Sequence, residues 1–261
     1  MKNIVLLFLV VLSGGTLTYS QEKPDNLDLY LLIGQSNMAG RGAPDDYVLN
    51  GDSILVLNAG RQWQPAREPI HFDKPAAGTG LAASFAMTLL PSSRNRIGLI
   101  PCAIGGTSIS AWKAGAVDPA TGKRPYDEAI AHATEALRSG KIKAILWHQG
   151  ESDTQPQRTT TYRTDFEKLM ENLHHDLGIT PGSIPVIVGE LGIFPHEGNH
   201  HEGRRKINEV LHELACRHSY ITCVSSAGLN HVGDYTHFDT ASLRELGRRY
   251  AEALTRYTAK P

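Results

Sequence analysis

Short apolar runs, each long enough for a buried strand and no longer, alternate along this chain with amphipathic stretches of helical period. The runs are Leu27–Ile33, Ile54–Leu57, Ile97–Pro101, Ala144–Trp147, Val186–Val188 and Ile221–Val224. Several are apolar at consecutive positions, as expected of strands covered on both faces rather than one. The helical stretches are Leu81–Leu90, Tyr126–Ser139, Thr161–Leu177, Arg204–Arg217 and Ala241–Arg256. In the last of these, Leu243, Leu246, Tyr250 and Leu254 form a core-facing stripe. The order β, β, α, β, α, β, α, β, α, β, α predicts an α/β fold, a mainly parallel sheet with helices on both faces. No internal repeat or linker interrupts it, so one domain is expected over 21–261. Asn58–Gly80 and Phe194–Gly203 read as long loops, which in a compact domain are often functional.

The first twenty residues stand apart. Lys2 precedes the apolar run Ile4–Leu12, and small or polar residues follow. That pattern predicts a signal peptide over 1–20, cleaved near Ser20 and Gln21. The run is too short to span a bilayer comfortably, so the expected product is secreted or periplasmic without stable membrane insertion. A net charge of −1 with no long run of one sign argues against a nucleic-acid partner. An exported chain can hold disulfides. Of the three cysteines, Cys216 and Cys223 are the expected pair, and Cys102 is expected as a buried thiol at a strand end. Oligomeric state is not encoded in any pattern found here.

Four polar segments fall at strand ends or in late loops. The first, Gly34-Gln35-Ser36-Asn37-Met38, directly follows a strand run, and strand carboxyl ends are where open α/β sheets place their chemistry. The second contains Gly105-Gly106-Thr107, whose adjacent glycines leave backbone N–H groups accessible to an oxyanion. The third is His148-Gln149-Gly150-Glu151, and the fourth Asp234-Tyr235-Thr236-His237. A serine hydroxyl needs a base to take its proton, and a carboxylate to orient a histidine base. Asp234 and His237, three residues apart before a helix, can meet through one turn. Alternatively, Asp234 or Thr236 caps that helix.

Together the four blocks resemble those of SGNH hydrolases, and more narrowly the sialate O-acetylesterase-like and family 6 acetylxylan esterase branch of the carbohydrate esterases. The resemblance runs from about Leu27 to Leu254. Two departures from wider SGNH usage are Gly-Gln-Ser-Asn in place of Gly-Asp-Ser, and Gln149 where asparagine is usual. The resemblance implies a flavodoxin-like three-layer α/β/α sandwich and a serine esterase that removes acetyl groups from carbohydrate, with no cofactor and no metal. It implies Ser36 as nucleophile and His237 as general base, with an oxyanion hole of the Ser36 N–H, the Gly106 N–H (or Gly105) and the Gln149 side chain. Asp234 is the expected acidic partner and Glu151 its competitor. Gln35, Asn37 and Trp112 are candidate substrate contacts, as are Trp63, Arg67 and Lys113, since aromatic faces offer apolar area to sugar rings.

Other readings attach to other features. The stretch His196-Glu197-Gly198-Asn199-His200-His201-Glu202 invites a metal, but it lacks the helical His-Glu-x-x-His spacing, and an exposed loop is expected. A non-catalytic carbohydrate-binding protein on the same fold is the alternative to an enzyme. Between acetylated xylan, sialic acid and another sugar ester the residues make no choice.

Overall fold

The computed structural model describes residues 24–194 and 201–259. The leader expected over 1–20 lies outside the described residues, as do His196–His200 of the histidine-rich stretch. Seven strands form one sheet, in the order β3-β2-β4-β1-β5-β6-β7. They are β1 (Leu27–Gly34), β2 (Ile54–Leu57), β3 (Trp63–Pro65), β4 (Ile97–Pro101), β5 (Gly140–His148), β6 (Val186–Gly189) and β7 (Ile221–Val224). All adjacent pairs are parallel except β2 with β3. The short β3 edge strand arises inside the stretch expected to be loop. It is found by pairing with β2, not by any apolar pattern of its own.

The expected helices are present as α2 (Leu81–Leu89), α3 (Pro125–Ala136), α5 (Tyr162–Asp176), α6 (His201–Arg217) and α7 (Thr240–Thr258), with short α1 (Ser36–Ala39) and α4 (Pro156–Thr159) added. Alternation along β1 shows why there are two cores. Leu27, Leu29, Leu31 and Ile33 face one cluster, which includes Ala129, Phe166 and Leu211 of α3, α5 and α6. Tyr30 and Leu32 face the other, which includes Phe85, Leu246 and Tyr250 of α2 and α7. Successive side chains of a strand point to opposite faces, so a strand apolar at every position needs cover on both. The result is the expected α/β/α sandwich.

The central strand β1 ends beside β5, and its end is where the chain must turn out of the sheet. Gly34 makes this turn with φ +133, and a Cβ there would stand 2.1 Å from the His148 carbonyl oxygen. No side chain fits, so glycine is required on both conformational and steric grounds. The next residue donates its N–H to that same oxygen, Gln35 to His148, at 2.9 Å. Ser36 follows at the first position of α1.

No disulfide joins the expected cysteine pair: Cys102, Cys216 and Cys223 are all free. Cys216 is exposed near the end of α6, whereas Cys223 packs beside a core from within β7, where burial pushes its thiol up to about 12. Cys102 is buried after β4, as expected, and burial raises its thiol far above the ordinary range.

Candidate active site

The strand ends bring Ser36 and the loop before α7 together across 201 residues of chain. His237 Nε2 lies 2.9 Å from Ser36 Oγ, and His237 Nδ1 lies 2.6 Å from Asp234 Oδ2. The carboxylate therefore faces one ring nitrogen and the hydroxyl the other. Asp234 Oδ1 also accepts the N–H groups of Thr236 and His237, at 2.9 and 2.8 Å. Partial burial works to raise this carboxyl, but hydrogen bonds from the His237 backbone and ring hold it below its ordinary value. Asp234 does not cap α7; Asp239 does, accepting from Ser242 N–H at 2.8 Å.

Glu151, the competing carboxylate, does not reach His237. Its Oε1 accepts from Asn37 Nδ2 at 2.5 Å, and it stands 4.0 Å from His148 Nε2. Asn37 passes this hold onward. Its Nδ2 also donates to the Thr236 carbonyl at 3.0 Å, and its Oδ1 accepts from Phe238 N–H at 3.0 Å. Glu151 and Asn37 thus brace the backbone on both sides of His237.

Three expected substrate contacts are corrected by burial. Gln35 is 2% exposed, Asn37 0% and Trp112 1%, so none presents a surface to a sugar. Gln35 Oε1 instead accepts from Gln149 Nε2, Gly150 N and Ser152 N, tying the first block to the third. Trp112 donates to Thr107 Oγ1 and packs edge-on against Trp147 in the core. Trp63 donates its indole N–H to Ser139 Oγ, and Lys113 pairs with Asp165; Arg67 is exposed.

Two expected oxyanion donors are also corrected. The Gly105 N–H is spent on Asp73 Oδ2 at 2.8 Å, and Asp73 is in turn held by Arg41 Nη2 at 2.7 Å. The Gln149 amide nitrogen faces Asp153 Oδ2 at 2.5 Å, Thr107 O at 3.0 Å and Gln35 Oε1 at 3.1 Å. Two hydrogens among three acceptors leave none for a substrate oxygen. Ser36 N–H and Gly106 N–H are different: neither has a hydrogen-bond partner among the described residues. Gly106 is exposed with φ +87, a conformation that suits glycine. His148 of the third block is a core residue. Its Nδ1 meets Tyr250 Oη at 3.1 Å, Tyr250 donates to the Trp147 carbonyl, and burial lowers the imidazole's pKa, which keeps it neutral.

A model of the family "carbohydrate esterase, sialic acid-specific acetylesterase" matches residues 26–256. The chain belongs to this family. A probable carbohydrate esterase of Arabidopsis thaliana is 31% identical over 93% of this chain and 98% of its own. The crystal structure of that Arabidopsis protein superposes with a TM-score of 0.75, covering 89% of this chain and 99% of its own. A carbohydrate acetylesterase of Xanthomonas citri shares the fold at 20% identity and a TM-score of 0.64, covering 87% of this chain and 55% of its own. This chain is therefore a carboxylic ester hydrolase of the carbohydrate esterase class.

Sequence reading missed the residues that hold this esterase's site together. Asp73 and Arg41 fix the Gly105 turn; Asp153 takes both Gln149 and the Ile109 N–H, at 2.5 and 2.8 Å. Arg204 of α6 donates to Thr236 Oγ1 at 3.2 Å. Asp153, two residues past Glu151, and Arg41, three past Met38, lie nearest the blocks. Among the described residues no group of three or more His, Cys, Asp or Glu side chains is placed to hold a metal ion, and no helix is long and apolar enough to cross a membrane.

Proposed function

We propose that this esterase removes O-acetyl groups from carbohydrate through an acetyl-Ser36 intermediate. The observation that carries the reading is the continuous line Ser36 Oγ, His237, Asp234, with contacts of 2.9 and 2.6 Å. Ser36 Oγ attacks the acetyl carbonyl while His237 Nε2 takes its proton, and Asp234 stabilises the imidazolium that forms. Ser36 N–H and Gly106 N–H receive the oxyanion, since both are unspent and preorganised donors act before the charge develops. The tetrahedral intermediate collapses, His237 returns the proton to the sugar oxygen, and the alcohol leaves. Water then attacks acetyl-Ser36 with His237 again as base, releasing acetate.

Two substrates come into question, acetylated xylan and acetylated sialic acid. One observation favours the sialic acid ester. The Lys74 ammonium stands 3.7 Å from where a Cβ on Gly106 would be, and it has no ionic partner among the described residues. A free cation beside the proposed oxyanion donor suits a sugar bearing a carboxylate. The basic, apolar start of the chain supports export to the periplasm or medium. Acetate release from acetylated xylan and from O-acetyl sialic acid, with Ser36→Ala as control and with chelator added, tests the reading. Release abolished by Ser36→Ala and unaffected by chelator supports it. Sugar binding without release favours a non-catalytic binding protein, and loss on chelation favours a metal-dependent hydrolase.

A further inference from the structure

The segment between Asn230 and Asp239 is a closed loop. His231 and Phe238 form an antiparallel bridge, Val232 N–H donates to the His237 carbonyl at 2.9 Å, and Asp239 N–H to the Asn230 carbonyl at 3.1 Å. Within it Asp234 gathers the N–H groups of Thr236 and His237. The remaining inner donors, Gly233 N–H and Tyr235 N–H, both point to one atom, His231 Nδ1, at 2.9 and 3.0 Å. That atom can accept only if it carries no proton, so the ring proton is on Nε2. The imidazole is also fixed laterally. Its ring lies 4.7 Å from Phe194 and 4.3 Å from Tyr235, centroid to centroid.

The two donors need such an acceptor because the backbone that presents them is unusual. Gly233 has φ +112, and Tyr235 has φ +55, a left-handed conformation that a bulky residue rarely adopts. Such conformations persist where surrounding contacts over-determine them. Asp234 lies between these two residues, so their geometry aims its carboxylate. Thr236 and Phe238 are held from the protein side by Asn37, but Gly233 and Tyr235 are held by His231.

We propose that His231 is a positioning residue for the reaction. Its unprotonated Nδ1 folds the Gly233–Tyr235 backbone so that Asp234 meets His237 Nδ1. The inference rests on the Ser36, His237 and Asp234 reading above, and adds to it a side chain outside all four sequence blocks that acts through the backbone carrying Asp234.

The test compares His231→Asn, His231→Gln and His231→Leu in p-nitrophenyl acetate hydrolysis. Asparagine's Oδ1 stands at the same bond distance from Cα as Nδ1 and can accept both N–H groups. Glutamine places its acceptor one bond further out, and leucine offers none. His231→Asn is expected to keep kcat within about threefold of the parent, while His231→Gln and His231→Leu lose about tenfold or more in kcat with KM nearly unchanged. Equal kcat in the Asn and Gln variants, or losses confined to KM, would overturn the proposal. If His231→Leu does not fold, the Asn and Gln pair decides alone. Ser36→Ala run alongside separates the two claims: activity surviving in it refutes the nucleophile reading, whatever the His231 variants do.

Discussion

The two sides of this site are built differently, although the sequence presents both as polar blocks. On one side lie the first and third blocks with the neighbouring Asp153, where Gln35, Asn37, His148, Gln149 and Asp153 are all buried and bond to one another, to Glu151 and Tyr250, or to backbone. On the other side lies the 231–238 loop, where His237 and Asp234 are partly exposed. The buried side makes a rigid floor that delivers Ser36 and braces its neighbour. The open side presents His237 and Asp234, the proposed acid–base pair, to solvent. Polar residues in a catalytic block are thus of two kinds, those that meet the substrate and those that hold the others still.

The contrast predicts a graded series. The largest effect belongs to the reacting hydroxyl. Ser36→Ala should lower kcat by about 10⁶-fold with the fold intact, measured by acetate release and circular dichroism. Next is the brace between the two sides. Asn37→Ala removes both hydrogen bonds to the 236–238 backbone and should cost on the order of 10²-fold in kcat, since a small misplacement of a catalytic group is costly. A milder activity effect is expected on the buried side. Gln149→Ala leaves Asp153 without its side-chain donor and should lower stability by about 1–3 kcal/mol in urea unfolding. Its kcat should fall by much less than the roughly 10²–10³-fold typical of a lost oxyanion donor; a fall of that size in folded protein would return Gln149 to the oxyanion hole.

The two sides should also titrate in opposite senses. Burial raises the Asp153 carboxyl, although bonds from Gln149 and the Ile109 N–H oppose it. A carboxyl whose folded pKa is raised adds stability below its unfolded value, near 3.8, and that stability is lost as pH rises through the folded value. The Asp234 carboxyl is lowered, so its contribution is present above 3.8 and is lost as pH falls through its folded value. Unfolding free energies across acid pH should therefore flatten on the alkaline flank in Asp153→Asn and on the acid flank in Asp234→Asn. Matching changes in both variants would contradict the assigned environments.

Much of this was legible in the chain itself, and the limits are physical. Strands β1, β2, β4 and β6 announce themselves because a doubly covered strand is apolar at consecutive positions, whereas β7 at the sheet edge shows through its buried apolar ends Ile221 and Val224. The three residues of β3 carry no such signal, and the polar start of β5 at Gly140–Lys143 hides its first turn of pairing. The Asp234 and His237 pair is legible because its contact is local. The fate of Gln149 is not, because its acceptors at Gln35, Thr107 and Asp153 come from three segments. A sequence gives residue type but not the direction in which an amide points. For the same reason Asn37 and Gln35 read as substrate contacts, whereas both point inward. The expected Cys216–Cys223 pair fails because closeness in sequence is not closeness of the two thiols across a helix end and a strand.

The central claim is that Asp234 serves His237 directly while Glu151 acts only through Asn37. The direct measurement is kcat/KM of Asp234→Asn and Glu151→Gln, side by side, with p-nitrophenyl acetate. Asparagine at 234 removes the carboxylate that stabilises the imidazolium and should cost about 10⁴-fold. Glutamine at 151 keeps an oxygen for Asn37 Nδ2 and should cost about tenfold or less. A Glu151→Gln loss equal to that of Asp234→Asn, or an Asp234→Asn enzyme close to full activity, would contradict the account.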